Sequence, residues 1–324
     1  MKIKLKESRN GKRSKVKNKT STYSWFIPTD PYIQPVPKLE FVVSGYCAKG
    51  LITVLGGSAG SGKSLFNQIL FQKRNNDLLE TKPGKAIYLT GADSSEYEIR
   101  RRAKVIKENH GLQTVSLPDD FYCVATNEEF MQELTHRVKQ HSTDVVIFDT
   151  LADFHEGNMY ESESANNTMK AFVKLAHSAN VAVILITHTR KGSKIKMHYD
   201  VEDISDSRVF GTKSDFVFGL KSEYQSDGSN LIELQCLKSR SMKPIQPLRA
   251  EINYHSATNE LKVQKTNQMF SYELEVQNKE ETKKYKIAQV HKLKSEGKTH
   301  SQIAKQLKVS KGTVHNYAQE PAPS

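Results

Sequence analysis

Gly57-Ser58-Ala59-Gly60-Ser61-Gly62-Lys63-Ser64 is a glycine-spaced turn set between an apolar run, Leu51 to Leu55, and an amphipathic segment that begins at Leu65. A strand, a glycine-rich turn and a helix in that order leave successive backbone N–H groups pointing inward at the positive end of the helix, where they cradle phosphate oxygens. The spacing gives each residue a task. The N–H groups from Gly57 through Leu65 line the cradle, Lys63 reaches the β- and γ-phosphates of ATP, and the Ser64 hydroxyl holds Mg²⁺. A plain glycine-rich turn would not need a strand before it and a helix after it.

Apolar runs recur along the chain with helical patterns between them: Leu51 to Leu55, Ala86 to Leu89, Phe121 to Ala125, Val145 to Phe148 and Val181 to Ile186. This alternation predicts an α/β core with a mostly parallel sheet covered by helices. Helices are expected over Glu96 to Lys107, Glu129 to Gln140, with Phe130, Leu134 and Val138 on one face, and Met169 to Ala179, with Phe172, Val173 and Leu175. Beyond Arg208 four strand candidates follow one another without helices, Phe216 to Lys221, Leu231 to Leu237, Leu248 to Tyr254 and Glu260 to Val263. They read as antiparallel additions at one side of the sheet.

The second chemical group is the Asp at the end of Val145-Val146-Ile147-Phe148-Asp149. A buried strand delivers this carboxylate to the carboxyl edge of the sheet, where ligands of open α/β sheets bind, so Asp149 is the second Mg²⁺ anchor. After the next strand, Thr187-His188-Thr189-Arg190-Lys191-Gly192 places polar donors at the same edge, with His188 as a sensor of the γ-phosphate.

These pieces, with Ala86-Ile87-Tyr88-Leu89 followed by Asp93, Phe148-Asp149-Thr150-Leu151 with Phe154-His155, and Lys238-Ser239-Arg240, resemble the RecA-like hexameric ATPases typified by the plasmid RepA replicative helicases. The resemblance spans Gly45 to Val263. It implies a RecA-like phosphate-loop fold and a homo-oligomeric ring in which ATP sits between subunits and cations from the neighbour complete the site. Arg208, Lys238 and Arg240 occupy the matching places; such fingers stabilise charge on the transferring phosphoryl group. One position departs from the pattern. Proteins of this type carry Leu-x-x-Glu-Asp after the second strand, the glutamate orienting and deprotonating the attacking water. Here the residues are Leu89-Thr90-Gly91-Ala92-Asp93, and Ala92 offers no acid. Asp93 and Glu96 are the substitutes, and a slow ATPase is the expected consequence, because losing a positioned base costs about 10²- to 10⁴-fold in rate.

The chain divides into a basic arm over 1–26, expected to be disordered, the ATPase core over 27–266, a polar linker over 267–284 and a helical unit over 285–319. The arm carries nine Lys or Arg against the single acid Glu7 in its first twenty residues. From Lys286 to Ala318, Ile287, Val290 and Leu293, then Ile303, Ala304 and Leu307, then Val314 and Tyr317 mark three short helices. Gly297 stops the first, Thr299-His300-Ser301-Gln302 is a capping box for the second, and Ser310 caps the third. The stretch Glu296 to Val314 resembles resolvase-type and sigma-like helix-turn-helix segments, in which the third helix enters the major groove of DNA. That resemblance makes Ser310, Lys311, Thr313, His315 and Asn316 the base-reading candidates, with Lys292, Lys294, Lys305 and Lys308 toward phosphates.

A formal net charge of +12 agrees with an anionic partner such as DNA. Cys47, Cys123 and Cys236 lie far apart without metal-site spacing, which reads as a reduced, cytoplasmic protein. The longest apolar run, the six residues Val181 to Ile186, is far short of the roughly 20 needed to cross a bilayer. The leading functional reading is a DNA-associated, ring-forming ATPase of replication or mobile-element maintenance. The alternative is a nucleotide-switched DNA-binding regulator with little turnover, favoured by Ala92. A metabolic kinase would leave the C-terminal helices without a purpose.

Overall fold

The computed structural model describes residues 38–72, 78–82, 84–91, 96–106, 111–116, 124–190, 198–204, 208–255 and 260–322. The basic arm, Ala92, Asp93, Cys123, Lys191 and Gly192 lie outside them, as does the side chain of Glu96. A two-strand ribbon, β1 (Phe41–Val43) with β2 (Cys47–Ala48), precedes the main sheet. That sheet, in spatial order from its parallel edge, runs β5 (Leu112–Ser116), β4 (Ala86–Thr90), β6 (Val145–Asp149), β7 (Ala182–His188), β3 (Ile52–Gly57), β8 (Phe216–Tyr224), β9 (Asn230–Ser239), β10 (Leu248–His255) and β11 (Glu260–Lys265). The pairs from β5 to β8 are parallel and those from β8 to β11 antiparallel.

The central strands are continuous apolar runs because both of their faces are covered. On one face, α1 (Lys63–Gln72) packs Phe66, Ile69 and Leu70 against Leu55, Ile147 and Ile184. On the other, α3 (Glu128–Gln140) and α4 (Ser162–Ala179) set Phe130, Leu134, Phe172 and Leu175 against Val54, Val146 and Phe148. Alternate residues of β6 thus serve opposite cores. The Asn127 side chain accepts from the Glu129 and Phe130 N–H groups to start α3, and Asn180 in the left-handed conformation ends α4. The expected helix from Glu96 is α2 (Glu96–Ile106).

Two expectations are corrected. The strand pairing with β4 is Leu112–Ser116, while Val124 and Ala125, the described end of the strand expected over 121–125, lie outside any strand. Leu-Gln-Thr-Val-Ser sits at the sheet edge, with Val115 40% exposed, and so lacks the apolar run of a central strand. Second, β8 is parallel to β3, because a crossover containing α5 (Arg208–Lys213) precedes it in place of a hairpin. Among the described residues, β9, β10 and β11 form the antiparallel addition.

The polar segment expected as a linker is largely helical: it forms the first part of α6 (Ser271–Ser295), whose far half is the first helix of the C-terminal unit. Its first turn is clamped to the sheet. Arg249 on β10 lies opposite Glu233 on β9, donates to its Oε2 at 2.5 Å, and donates to Glu273 Oε1 at 2.6 Å. Glu273 in turn accepts from the Phe270 N–H at 2.9 Å, and Phe270 is buried. Lys, Glu and Gln are good helix formers, so an anchored end lets the polar stretch coil. The far half of α6 buries Val290 and Leu293 against Ile303 and Ala304 of α7 (His300–Leu307) and Val314 of α8 (Lys311–Tyr317). Among the described residues no helix is long and apolar enough to cross a membrane.

The Glu233 side chain is only 2% exposed, so truncating Arg249 takes the ion pair away from a buried carboxylate that keeps only part of its compensation, the Gln235 hydrogen bond and the Lys221 charge. Arg249→Ala is expected to lower the unfolding free energy by about 3 kcal/mol in urea denaturation, and Glu233→Gln in that background to recover part of the loss.

Candidate nucleotide-binding site

Strand register assembles the site. Leu55 stands level with Ile186, Ile186 with Asp149, and Asp149 with Thr90. Everything that follows these points emerges at one carboxyl edge: the Gly57 to Ser64 loop, His188, the turn after Asp149, and Gly91. Gly60 and Gly62 have φ of +77° and +84°, with open space where a Cβ would stand. Positive φ costs glycine little and opens the loop mouth.

Lys63 is buried and donates from Nζ to the Gly57 and Ser58 carbonyls at 2.8 and 2.9 Å. Burial pulls its pKa down to about 8. Ser61 is 1% exposed, and its Oγ has no hydrogen-bond partner. A buried hydroxyl left in this state fits an oxyanion guest in the loop. Leu65 continues α1 and packs against the adjoining core.

Ser64 Oγ donates to Asp149 Oδ2 at 2.6 Å, so the two residues expected to share a cation are already in contact across the sheet edge. Asp149 is 3% exposed. A hydroxyl and a carboxylate oxygen at this separation form the hard-oxygen pair that Mg²⁺ takes from protein while keeping its other positions for water and phosphate. Ser64 and Asp149 would hold the ion, and the donor set fits it.

Sequence reasoning missed Tyr88. Its hydroxyl donates to the same Asp149 Oδ2 at 2.5 Å, and burial, followed by the Asp149 charge, raises its own pKa far above the usual tyrosine value. Tyr88 fixes the carboxylate from the side opposite the loop strand. The signal was a lone phenol in Ala-Ile-Tyr-Leu-Thr, since a buried tyrosine hydroxyl needs a partner. Thr90, level with Asp149, is buried with its Oγ1 unpartnered.

His188 ends β7 opposite Gly57 and is exposed, and the Thr189 N–H donates to the Gly57 carbonyl at 3.2 Å. His188 therefore stands beside the start of the loop. Asp93 lies outside the described residues. His155 is turned inward instead: Nδ1 is 2.8 Å from Thr168 Oγ1, Nε2 is 3.2 Å from Ser164 Oγ, and the ring meets Phe210 edge-on.

The three expected finger residues gather around α5. Arg208 is exposed and pairs with Glu202 at 3.3 Å. Lys238 Nζ donates to the carbonyls of Gly211, Thr212 and Ser214 at 2.7–2.8 Å, capping the end of the helix that carries Arg208. Arg240 donates to the Thr212 carbonyl and lies 3.9 Å from Asp215. The Lys238 ammonium is thus engaged within its own chain.

At the C-terminus, the Thr299–Gln302 capping box and the Ser310 cap are formed. Ser310 Oγ accepts from the Thr313 N–H and meets the Thr313 hydroxyl, so these two side chains are occupied in starting α8. Lys311, His315 and Asn316 are exposed.

The sequence profile of the AAA domain family matches residues 24–194, just over half of the chain, and takes in the loop, β4, Asp149 and His188. The chain belongs to the AAA domain family. No curated protein matches it. The AAA domain is a nucleotide-binding ATPase domain of the phosphate-loop, RecA-like kind, in agreement with the sheet order and the loop geometry. Its match ends before Arg208, so α5, the antiparallel strands and the C-terminal helices lie beyond it.

Two outcomes follow. Lys63→Ala removes the buried cation that faces the loop and should weaken binding of a fluorescent ATP analogue about tenfold to a hundredfold, the scale of hydrogen bonds to charged groups. His155 is held neutral by burial, which lowers its pKa. The unfolded chain takes up this proton near the ordinary histidine value, about 6.5, while the folded chain takes it up only at lower pH. Stability attributable to His155 is therefore full above that value and lost on acidification. The melting temperature should fall between about pH 7 and 5.5, less steeply in His155→Gln.

Proposed function

We propose that this AAA domain protein is an ATP- and Mg²⁺-dependent ATPase that acts on DNA as a ring of its own copies, in replication or mobile-element maintenance, like the RepA-type helicases it resembles. The observation that carries the reading is the continuity of α6. Its first turn is clamped to the ATPase sheet by Arg249 and Glu273, and its last turns form the core of a lysine-rich three-helix unit.

Within the site, the residues of this chain have separable tasks. The loop N–H groups and Lys63 bind and orient the triphosphate, Lys63 exchanging the Gly57 and Ser58 carbonyls for phosphate oxygens. Ser64 and Asp149 would hold Mg²⁺, which would draw charge off the phosphate oxygens when bound. Tyr88 keeps Asp149 aimed. His188, beside Gly57, reports the terminal phosphate to the segment after β7. Arg208 and Arg240 reach a neighbouring subunit's nucleotide, with Lys238 holding α5 in place beneath them. This is a cytoplasmic assembly on the cysteine usage.

The three-helix unit supports DNA contact through charge. Between Lys286 and Gln319 there are seven lysines against the single acid Glu296. On this reading the exposed Lys311, His315 and Asn316 of α8 would meet base edges, with Ser310 and Thr313, which cap the helix, approaching through the same turn. The second reading, a DNA-binding regulator in which ATP orders the oligomer with little turnover, is favoured by Ala92, where the resembled enzymes carry their glutamate.

DNA binding by the full-length chain, followed by fluorescence anisotropy over a salt series, tests the assignment. Lys311→Ala should weaken duplex binding and reduce the slope of log K against log salt by about 1 for each phosphate that the variant no longer neutralises. Asn316→Ala should weaken specific sites with little change in slope. Unchanged affinity and slope in both variants would remove DNA recognition from this unit. ATP turnover stimulated by DNA favours the motor, and ATP-dependent oligomers without turnover favour the regulator.

A further inference from the structure

We propose that Asp153 supplies the carboxylate that orients and deprotonates the attacking water, in place of the glutamate missing at position 92. The inference rests on the reading of this site as an ATPase. Its grounds are the path of the chain after Asp149. β6 ends there, and a short 3-10 helix, Leu151–Phe154, folds back at the strand tip with Leu151 and Phe154 buried. This turn carries Asp153 to the neighbouring tip, that of β4.

The approach is close. The Gly91 N–H donates to the Asp149 carbonyl at 3.0 Å, tying the two strand tips together. A Cβ built on Gly91 would lie only 2.2 Å from Asp153 Cγ and 2.4 Å from its Oδ2. The carboxylate of Asp153 thus fills the space that a side chain at position 91 would need, one residue before Ala92. Any residue other than glycine at 91 would push it away.

The carboxylate is also held in place. Asp153 Oδ2 accepts from the Thr150 N–H at 2.9 Å and from Thr150 Oγ1 at 2.8 Å. Both bonds fall on Oδ2, and Asp153 is half-buried at the strand tips. The other described acid at these tips, Asp149, has its Oδ2 occupied by Ser64 and Tyr88. The unpartnered Thr90 Oγ1, on the residue before Gly91, is a further polar atom at the same tip.

In the step proposed, a bond forms between the water oxygen and the terminal phosphorus of ATP. The bond from that phosphorus to the bridging oxygen breaks, its electron pair staying on ADP. The water proton passes to Asp153 and returns to solvent as phosphate leaves.

The experiment uses the full-length chain with Asp153→Asn, Gly91→Ala, and Asp153→Asn combined with Ala92→Glu. Each is compared with wild type in ATP turnover, affinity for a fluorescent ATP analogue and melting temperature. Asparagine retains an oxygen for the Thr150 bonds without being a base. Asp153→Asn should lose about 10²- to 10⁴-fold in kcat with affinity and melting temperature unchanged. Gly91→Ala, whose methyl would press on Asp153 Cβ as well as on the carboxylate, should lose turnover together with some melting temperature, and Ala92→Glu should restore turnover to the Asn variant. Turnover in Asp153→Asn within a few-fold of wild type overturns the inference and leaves the ATPase reading standing. A fall in affinity and melting temperature that parallels the fall in turnover, without rescue by Ala92→Glu, assigns Asp153 to the turn alone and also overturns it. A wild-type chain that binds the analogue without hydrolysing ATP overturns the inference together with hydrolysis, and one that binds no nucleotide overturns the site itself.

Discussion

The hydrogen bond from Ser64 to Asp149 is the contact on which the arrangement of the ATPase core depends. It joins the first residues of α1 to the end of β6, two strands away from the loop strand β3, with β7 between them. For both groups to meet, the parallel register across β3, β7 and β6 must be right, because a one-residue slip would turn Asp149 to the opposite face. The apolar runs of these strands enforce that register by burying alternate residues in two separate cores. Packing and chemistry are thus the same constraint at this point. The cores fix the register, and the register fixes the distance between a hydroxyl and a carboxylate.

A second constraint joins this core to the C-terminal helices. Arg249 bridges Glu233 on the sheet and Glu273 in the first turn of α6, and its guanidinium lies 5.7 Å from the Phe270 ring centroid. Beside it, Lys221 Nζ lies 4.9 Å from the Tyr199 ring and 5.4 Å from that of Tyr272. Tyr199 belongs to the segment that follows β7 and His188, and Tyr272 to α6. One cation therefore touches both the polypeptide leading away from the nucleotide edge and the helix leading to the three-helix unit.

The sequence made most of the core legible because its signals were local and coincided. A glycine-spaced loop between an apolar strand and an amphipathic helix, joined by an acid ending Val-Val-Ile-Phe, leaves little room for a different architecture. The capping residues Thr299, Gln302 and Ser310 were readable for the same reason, since a cap bonds to backbone only a few residues away. What escaped was non-local or polar. Tyr88 acts through Asp149, sixty-one residues away in sequence, and Asp153 approaches Gly91 across two strand tips. β5 carries no apolar run because it lies at an edge. The 267–284 segment read as a linker because it has no buried face to betray a helix; the arginine that holds its first turn sits on another strand.

Lys63 shows how the same burial that builds the core prepares the site. Its ammonium is enclosed by the loop and by α1, and two backbone carbonyls supply its hydrogen bonds. Carbonyl dipoles satisfy the donors without neutralising the charge, and desolvation therefore lowers the pKa to about 8. The Asp149 charge opposes that shift, and an anionic phosphate in the loop would add a further countercharge in a low-dielectric setting. The loop with its lysine folded inward is thus closed by its own carbonyls and left electrostatically receptive to an anion.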